Sequence, residues 1–529
     1  MGAFTAVVNG ATESTYPESR VLIIITGGTI CMQPSAGGLV PVKGFLDNAM
    51  ATRPSFNDMS ARVPLPAIKD GEKVMIDSLR TPPSSYSRHV RYGALEFSPL
   101  LDSSSISSDG WAKIATTVKE NYHLYDGFVV LHGTDSLAYS ASALSFMMED
   151  LGKPVILTGS QASIFALQSD AVDNLLGSLI IAGTFVIPEV CLFFHHTLFR
   201  GNRTTKISAS SFEAFASPNC DPLAKVTSLG VDVNWSLVRR PTKIARFGIT
   251  SYLDTAHVAC VRIFPGIKPE MVDSVLRVPD LRGLILETFG MGNAPAGVDG
   301  SLTKVIRSAV ERGIVVVNVS QCTSGFVSPL YAPGFALGQA GVVFGHDLTS
   351  EAALTKLSYL LALPSVATPA DVGARMAASL RGEMTELAAV TAFTHPAGDL
   401  DDRAPEPAVA RLVGPAQAKF AALGYAIEAG DLATVQELLG GDEVGDMLLK
   451  RADYAGNTAV HLASVGPNPA VLEELLKRGA SVHARNRADN TPLFLAERKG
   501  VAECVRLLKS AGAQLWEEVE GGRVGTKGV

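Results

Sequence analysis

Residues 21–30 read VLIIITGGTI, and residues 127–136 read GFVVLHGTDS. In each stretch, an apolar run stops at a glycine-containing turn that carries threonine. Apolar runs that end at Gly-rich turns are typical of buried parallel strands, and open α/β sheets bind ligands just beyond the carboxyl ends of such strands. We therefore expect the two threonine–glycine loops to meet at one crevice, where they present Thr29, Thr134 and Asp135.

The residues around the second loop predict a β-α-β unit. Residues 137–151 carry apolar side chains at helical spacing, and Gly152-Lys153-Pro154 favours a helix end. The apolar residues 154–157 follow as a strand, so the two flanking strands are expected to be parallel. A second alternating block begins near Ile244, and a helical stretch is predicted over residues 369–387.

The last part of the chain repeats itself. Residues 456–463 (GNTAVHLA) are echoed by residues 489–496 (DNTPLFLA), at an offset of 33 residues. This is the ankyrin period, and NTPLFLA is close to the ankyrin signature. Residues 426–439 form a weaker copy, and each repeat needs neighbours to bury its apolar face.

These patterns predict an α/β protein with a larger, mostly parallel N-terminal domain, a smaller C-terminal α/β domain and an all-α repeat domain. The predicted boundaries are a disordered tail over 1–19, α/β domains over 20–235 and 244–365, a helical segment and linker over 366–415, ankyrin repeats over 416–516 and a tail over 517–529.

Composition excludes several classes of protein. The chain has 529 residues, 47% of them hydrophobic, and a net charge of −7, so we expect a globular protein that binds no nucleic acid. Its six cysteines show no metal-ligand spacing, and we expect reduced thiols, no metal and no cofactor. We expect no membrane span and no secretory signal, and therefore a cytoplasmic protein.

The two loops hold the groups that amide hydrolysis requires. Without a metal, that reaction needs a nucleophile, a proton donor for the departing amine and donors for the oxyanion. Thr29 is the candidate nucleophile, and Lys206, in RGNRTTK, is the candidate base. Taken alone, a TGGT turn is more often a phosphate loop or a plain turn, but no complete phosphate-binding fingerprint is present.

Together these motifs resemble the type I, cytoplasmic L-asparaginases almost continuously over residues 21–363. The matching stretches include ITGGTI, LLDSSSISSDGW, YDGFVVLHGTDSLAYSASALSFMMEDLGKPVILTGSQ, RGNRTTK, GNAP and GIVVVNVSQCTSG. The resemblance implies the two-domain asparaginase fold and the hydrolysis of L-asparagine to L-aspartate and ammonia (EC 3.5.1.1). Animal members of the family carry the ankyrin tail as well.

The resemblance also implies roles for individual residues. Thr29 would form the acyl-enzyme, while Lys206 would draw the proton from Thr134 and Asp135 would hold the α-ammonium of the substrate. Asp102, Ser103 and Ser104 would bind the α-amino and α-carboxylate groups, although Ser and Asp also favour a plain helix N-cap. Asn293 would reach the site of a neighbouring subunit, since the family's homodimers or homotetramers share sites.

Two positions depart from the family pattern. Bacterial members have a tyrosine ten residues after the nucleophile, where this chain has Leu39, so Tyr86 or a water would have to replace it. Some type I enzymes also have a second, allosteric asparagine site with an arginine. Glu287 stands at the arginine position here, although Thr205 and Cys322 match its other contacts.

Two other functions stay open at this stage. Fused animal members carry a lysophospholipase name, which suggests an esterase, yet residues 157–163 (LTGSQAS) lack the second glycine of a nucleophile elbow. An asparagine sensor with weak hydrolysis is the other alternative, and Leu39 favours it. The ankyrin repeats are expected to offer a surface to a protein partner.

Overall fold

A nine-stranded sheet built around the two apolar runs organises the N-terminal part of the chain. Its strands are β1 (Glu18–Ile25), β2 (Ser78–Arg80), β3 (His89–Glu96), β4 (Gly127–Leu131), β5 (Val155–Thr158), β6 (Val190–Phe194), β7 (Thr197–Arg200), β8 (Ala224–Thr227) and β9 (Gly230–Val233). The order is β9-β8-β7-β6-β5-β4-β1-β3-β2. The central strands β3, β1, β4, β5 and β6 are parallel, as the sequence predicts for β1, β4 and β5.

This computed structural model describes most of the chain. The described residues are 7–8, 11–12, 16–35, 38–100, 103–240, 245–329, 332–366, 368–385, 415–440, 448–449, 451–453, 455–488, 490–513, 516–519 and 522–525. By internal contacts the chain divides into two units, Met1–Glu386 and Leu387–Val529.

Apolar side chains cover both faces of the central strands. Along β1, Ile23 lies in one buried cluster and Ile24 in the other, because successive side chains of a strand point to opposite faces. The first face packs on α3 (Ala171–Thr184), and the second on α1 (Ser108–Asn121) and α2 (Leu137–Met147). A sheet buried on both faces explains why its strands are continuous apolar runs.

A smaller parallel sheet follows. Its strands are β10 (Val258–Arg262), β11 (Gly283–Thr288), β12 (Val315–Ser320) and β13 (Val343–Phe344), in the order β10-β11-β12-β13. Its helices are α4 (Pro269–Leu276), α5 (Ser301–Glu311), α6 (Ala332–Gln339), α7 (Ser350–Ala362) and α8 (Pro369–Met376). The two α/β parts expected from the sequence are therefore present.

Several short elements complete the first unit. Two-stranded pairs join Val7–Val8 to Ala11–Thr12, Met32–Ser35 to Gly38–Pro41, Leu65–Lys69 to Glu72–Ile76, Met148–Glu149 to Gly248–Ile249, and Thr205–Lys206 to Phe215–Ala216. The 3₁₀ helices are Thr29–Cys31, Ser103–Ser105, Gly201–Arg203 and Val298–Gly300, and Leu46–Met50 is a π-helix.

Three predicted boundaries differ from the structure. β1 begins at Glu18, inside the predicted tail. α2 ends at Met147, four residues early, because Met148 and Glu149 pair with a strand that lies far away in the sequence. α8 covers only the first half of the helix predicted over 369–387.

A buried ion pair explains the early end of α8. Lys356 and Glu383 are fully buried, with their charged atoms 2.6 Å apart. Lys356 donates to the carbonyls of Met376 and Ala378, and Glu383 accepts from the backbone N–H groups of Leu380 and Arg381. These tertiary bonds take the backbone groups with which the helix would have continued.

The second unit consists of paired helices. They are α9 (Pro415–Ala429), α10 (Leu432–Leu438), α11 (Ala459–Ser464), α12 (Pro469–Lys477), α13 (Pro492–Lys499) and α14 (Ala502–Ser510), followed by a strand pair, Trp516–Val519 with Gly522–Gly525. Asp453 and Asn486, 33 residues apart, each accept backbone bonds that close a turn. The ankyrin prediction is confirmed.

Among the described residues, no helix combines the length and the hydrophobicity that a membrane span requires.

Candidate active site

The two threonine loops touch through their glycines. A Cβ placed on Gly28 would lie 2.5 Å from the backbone nitrogen of Gly133, closer than any real contact allows. A Cβ on Gly133 would in turn lie 2.4 Å from the hydroxyl of Ser103. Only glycine permits this approach of three segments. Because Gly28 and Gly133 have no side chain, the loops after β1 and β4 can pack against each other and against the segment that begins at Ser103.

The first loop is fixed at its base and partly open at its tip. Thr26 donates both its backbone N–H and its hydroxyl to the carbonyl of Leu131, at 3.0 and 2.8 Å. Thr29 then begins a 3₁₀ turn and is partly exposed. Its hydroxyl has no hydrogen-bond partner among the residues that the structure describes, which leaves it available to a ligand.

The second loop meets the predicted lysine. Lys206 Nζ lies 3.0 Å from Thr134 Oγ1 and 2.9 Å from Asp135 Oδ1. Thr134 is buried, whereas the Asp135 side chain is 71% exposed. One carboxylate oxygen of Asp135 therefore contacts the lysine, and the exposed remainder faces solvent, where a cationic group can reach it.

Gln161 completes this cluster and was missed by sequence reasoning. Its carboxamide oxygen accepts from Thr134 Oγ1 at 3.3 Å, and its nitrogen donates to the carbonyls of Ser208 and Ser211. In this arrangement Lys206 Nζ donates to Thr134 Oγ1, so Gln161 supplies the acceptor that orients the Thr134 hydroxyl. Its position directly after β5, the neighbouring parallel strand, is the signal that could have identified it.

A buried histidine fixes the second loop from behind. His132 Nδ1 lies 2.8 Å from the carbonyl of Gly133, and its Nε2 lies 2.9 Å from Ser140 Oγ. A carbonyl can only accept, so Nδ1 carries the proton, and Nε2 accepts from Ser140, which itself accepts from the indole N–H of Trp111 at 2.8 Å. Complete burial lowers the pKa of His132 below its ordinary value, so the ring is neutral.

The strand that carries Lys206 is held by the second α/β part. Arg203 is buried against Asp347, with a bidentate contact at 2.9 and 3.1 Å. Burial opposes the charge of Asp347, but Arg203 and Thr385 outweigh it and hold the pKa of that carboxyl below its usual value. Next to Lys206, Thr205 donates to the buried carboxyl of Glu351 at 2.8 Å.

The three predicted substrate-binding residues, Asp102, Ser103 and Ser104, differ in their surroundings. Ser103 is buried in a 3₁₀ turn against Gly133, and its carbonyl accepts from the hydroxyl of Ser136. Ser104 is exposed, and Asp102 lies outside the described residues. The helix N-cap expected in this stretch falls on Ser107, which makes no side-chain capping bond, so neither Ser103 nor Ser104 is used as the cap of α1.

Asn293 lies apart from this cluster in its described contacts. It makes a β-bridge with Phe289 at the end of β11, and its side-chain oxygen is buried without a hydrogen-bond partner among the described residues. No contact between described residues links it to the threonine loops.

Tyr86 cannot replace the tyrosine that the family has at position 39. It lies in the turn before β3, whose first residue pairs with Glu18, so it is at the amino end of the parallel strands. Thr29 lies beyond the opposite, carboxyl end of β1, which is eight residues long. At about 3.3 Å per residue the strand separates them by about 25 Å. Tyr86 instead packs on Phe185 and bonds to the backbone of Val231.

The positions compared with an allosteric site do lie together. Glu287, Thr205 and Cys322 line one cavity of about 280 Å³. Arg262, on the adjacent strand, lines it too and lies 3.5 Å from Glu287. Sequence reasoning missed this guanidinium because strand pairing, not spacing, brings it there. No group of three or more metal-binding side chains occurs within the described part of the chain.

Family models match nearly all of the folded regions. The asparaginase N-terminal model matches residues 20–239, the glutaminase/asparaginase C-terminal model residues 257–370, and a model of three ankyrin repeats residues 423–518. The matches therefore cover both sheets, the Thr29 and Thr134 loops, and residues 423–518 of the helical unit.

Individual relatives agree with this. A Mus musculus protein named 60 kDa lysophospholipase is 42% identical over 88% of this chain and 79% of its own length. L-asparaginase 1 of Escherichia coli K12 is 42% identical over 70% of this chain and 98% of its own. The crystal structure of L-asparaginase I from Vibrio cholerae superposes with a TM-score of 0.58 and 38% identity, covering 70% of this chain and 99% of that one. The predicted resemblance and fold class are confirmed: the chain belongs to the asparaginase family, with ankyrin repeats after its two α/β domains.

Proposed function

We propose that this protein is an L-asparaginase that hydrolyses L-asparagine to L-aspartate and ammonia through an acyl-enzyme on Thr29. Membership of the asparaginase family supports an amidohydrolase. The observation that carries the finer proposal is that Lys206 Nζ contacts both Thr134 and Asp135, on a loop packed against the one that carries Thr29.

In the first half-reaction, Thr29 Oγ1 attacks the side-chain amide carbon of asparagine. A C–O bond forms, the C–N bond breaks and ammonia leaves with the proton that Thr29 gives up. We assign that proton transfer to Thr134 and Lys206, whose Oγ1 and Nζ lie 3.0 Å apart. The Thr134 hydroxyl turns from Gln161 to the lysine amine, takes the proton of Thr29 while it gives its own proton to the amine, and the amine passes that proton to the leaving nitrogen. Backbone N–H groups of the glycine loops are suited to stabilise the oxyanion.

In the second half-reaction, water cleaves the ester. The water oxygen bonds to the acyl carbon, Thr29 recovers its proton and L-aspartate is released. Asp135, whose side chain is largely exposed, holds the α-ammonium, while Asp102, Ser103 and Ser104 are assigned to the α-amino and α-carboxylate groups. We expect no metal and no cofactor in either step.

The assay for this proposal measures ammonia release from L-asparagine and L-glutamine, and fatty-acid release from a lysophospholipid. We expect the highest kcat/KM with L-asparagine and a loss of at least about 10³-fold in Thr29→Ala, because the nucleophile itself is removed. Full ammonia release by Thr29→Ala would exclude the mechanism. Faster hydrolysis of the lysophospholipid would favour the activity in the name of the Mus musculus relative.

We also propose that the active assembly is a homodimer or homotetramer, completed by Asn293 of each subunit. Support comes from the GNAP stretch that contains Asn293 and resembles the family. In the single chain the side-chain oxygen of Asn293 is buried and has no hydrogen-bond partner among the described residues. Asn293→Ala should lower kcat/KM for asparagine, and ultracentrifugation should find more than one subunit in the wild type. A fully active monomer would refute this part.

The ankyrin repeats are proposed to bind a protein partner and to take no part in catalysis. The helical unit is separable from the α/β unit by its internal contacts. A chain cut near residue 410 should therefore keep the kcat and KM of the full chain. A folded truncation that has lost turnover would show that the repeats act on the site.

A further inference from the structure

A second cavity, of about 290 Å³, lies at the far end of α2 from the threonine loops. Ser145 and Met148, at the carboxyl end of α2, form one wall, and residues 188–190, 239–240 and 380–381 form the others. Asp135 precedes the amino end of this helix, whose eleven residues span about 16 Å. The cavity is thus distinct from the catalytic cluster.

Three arginines line this cavity: Arg239, Arg240 and Arg381. None of the three forms an ion pair with a carboxylate among the described residues. Several other arginines of the α/β unit do, for example Arg200 with Glu189 and Arg203 with Asp347. The chain as a whole has more acidic than basic residues, so three guanidinium groups without an acidic partner at one cavity make a local concentration of positive charge that attracts anions.

The carboxylates in the wall do not supply that charge. Glu189 accepts from Arg200 at 2.6 and 3.2 Å and from the backbone N–H of Arg239 at 2.7 Å, so both of its oxygens are engaged. Its charge is balanced by Arg200, which lies behind the wall. Asp150 is the other acidic residue of the lining. With Glu189 already balanced, the lining carries three guanidinium charges and one further carboxylate charge.

Arg381 is held in place with a donor unused. Its backbone N–H donates to Glu383 at 2.6 Å, and its carbonyl accepts from Asn202 at 3.1 Å. Its side-chain Nε–H is buried and meets no acceptor among the described residues. The guanidinium of Arg381 therefore adds positive charge to the wall, and no carboxylate of the described residues pairs with it.

Arg240 is also oriented for binding. Its guanidinium lies 5.7 Å from the ring centroid of Trp235, within cation–π range, and makes no hydrogen bond to the residues that the structure describes. Arg239 and Arg240 are both exposed at the cavity mouth.

We propose that this cavity binds a small, multiply charged oxyanion, such as phosphate, pyrophosphate or the phosphoryl part of a metabolite. Guanidinium groups match such oxygens with paired N–H donors. The volume holds a compact anion of several heavy atoms and is too small for an extended polymer. The site is independent of the proposed amide hydrolysis.

Isothermal titration of the full chain with pyrophosphate, in about 0.15 M KCl to screen weak surface attraction, tests the proposal. We expect saturable binding at one site per chain, weakened at least tenfold in Arg239→Gln/Arg240→Gln. Both residues are exposed, so this variant should fold and keep the asparaginase turnover. Arg277→Gln, which removes an exposed arginine paired with Asp273 on α4, is the matched control and should bind as the wild type does.

Arg381→Gln provides a second measurement and should weaken binding by a similar factor. Titrations with phosphate and with succinate separate phosphoryl from carboxylate anions, and saturable binding of either that is lost in the double variant supports the site. Absence of saturable binding for all three anions, or equal affinities in the wild type and the double variant, would overturn the proposal.

Discussion

Gly28 of the first threonine loop lies directly against Gly133 of the second, so close that a Cβ on Gly28 would fall 2.5 Å from the Gly133 nitrogen and 2.6 Å from its Cα. The contact joins the ends of β1 and β4. It places a candidate nucleophile one residue from one glycine and a candidate proton-transfer group one residue from the other.

Gly28→Ala should therefore separate the loops and lower kcat by about 100-fold, the usual cost of misplacing reacting groups by about 1 Å. Gly71→Ala is the matched control, because Gly71 has a similar positive φ of 83° but nothing within 4 Å of its would-be Cβ. Ammonia-release kinetics compare the two variants. Equal losses would mean that backbone strain, and not the loop contact, is responsible.

Gln161→Ala should lower kcat about tenfold to a hundredfold with a smaller effect on KM, because it removes the acceptor that orients the Thr134 hydroxyl. Gln161→Glu keeps the acceptor for Thr134 but loses the donor to the Ser208 and Ser211 carbonyls, so it should recover only part of the loss. If both variants lose the same amount of kcat and change KM by a similar factor, Gln161 has a merely structural role. The exposed Gln436, in the ankyrin unit, offers a control substitution.

His132 should remain a neutral Nδ1–H tautomer at pH values just below its ordinary pKa of 6.5. Burial lowers the pKa of His132, so below pH 6.5 the histidine is protonated in the unfolded chain but stays neutral in the folded chain. Stability is therefore lost as the pH falls below about 6.5. Nitrogen NMR of labelled histidine, assigned with His132→Asn, should report an unprotonated Nε2 at a pH slightly below 6.5, where an ordinary histidine is more than half protonated. A protonated Nε2 there would contradict the network with Ser140 and Trp111.

Glu383→Gln should destabilise the α/β unit by about 3–5 kcal/mol, since it leaves the Lys356 ammonium buried without a counter-charge. Replacing both residues by apolar ones should cost less than the single change. Thermal unfolding followed by circular dichroism measures the effect. Asp273→Asn, which breaks an exposed ion pair on α4, should leave the transition in place. A similar shift in both variants would refute the argument from burial.

The sequence predicted much of the fold because parallel strands and ankyrin repeats carry strong local patterns. The run at residues 21–25 is apolar throughout because both faces of β1 are covered. The errors lie where tertiary bonds override local preference. α8 stops at Met376 because Lys356 and Glu383 take the backbone groups that would extend it.

The candidate site was predictable only where a motif named its residues. Thr134, Asp135 and Lys206, predicted from two motifs about 70 residues apart, do lie in contact. Gln161 and His132 were missed because their roles depend on hydrogen-bond partners, which spacing does not reveal. Tyr86 was misjudged because a turn before a parallel strand lies at the wrong edge of the sheet.

The central claim is that Thr29, and not Thr134, attacks the substrate. Rapid acid quenching of the wild type during turnover of L-asparagine, followed by proteolysis and mass spectrometry, tests it most directly. We predict an aspartyl ester on the peptide that contains Thr29, and none in Thr29→Ala. An ester on the peptide that contains Thr134, or turnover in Thr29→Ala at the wild-type rate, would contradict the account.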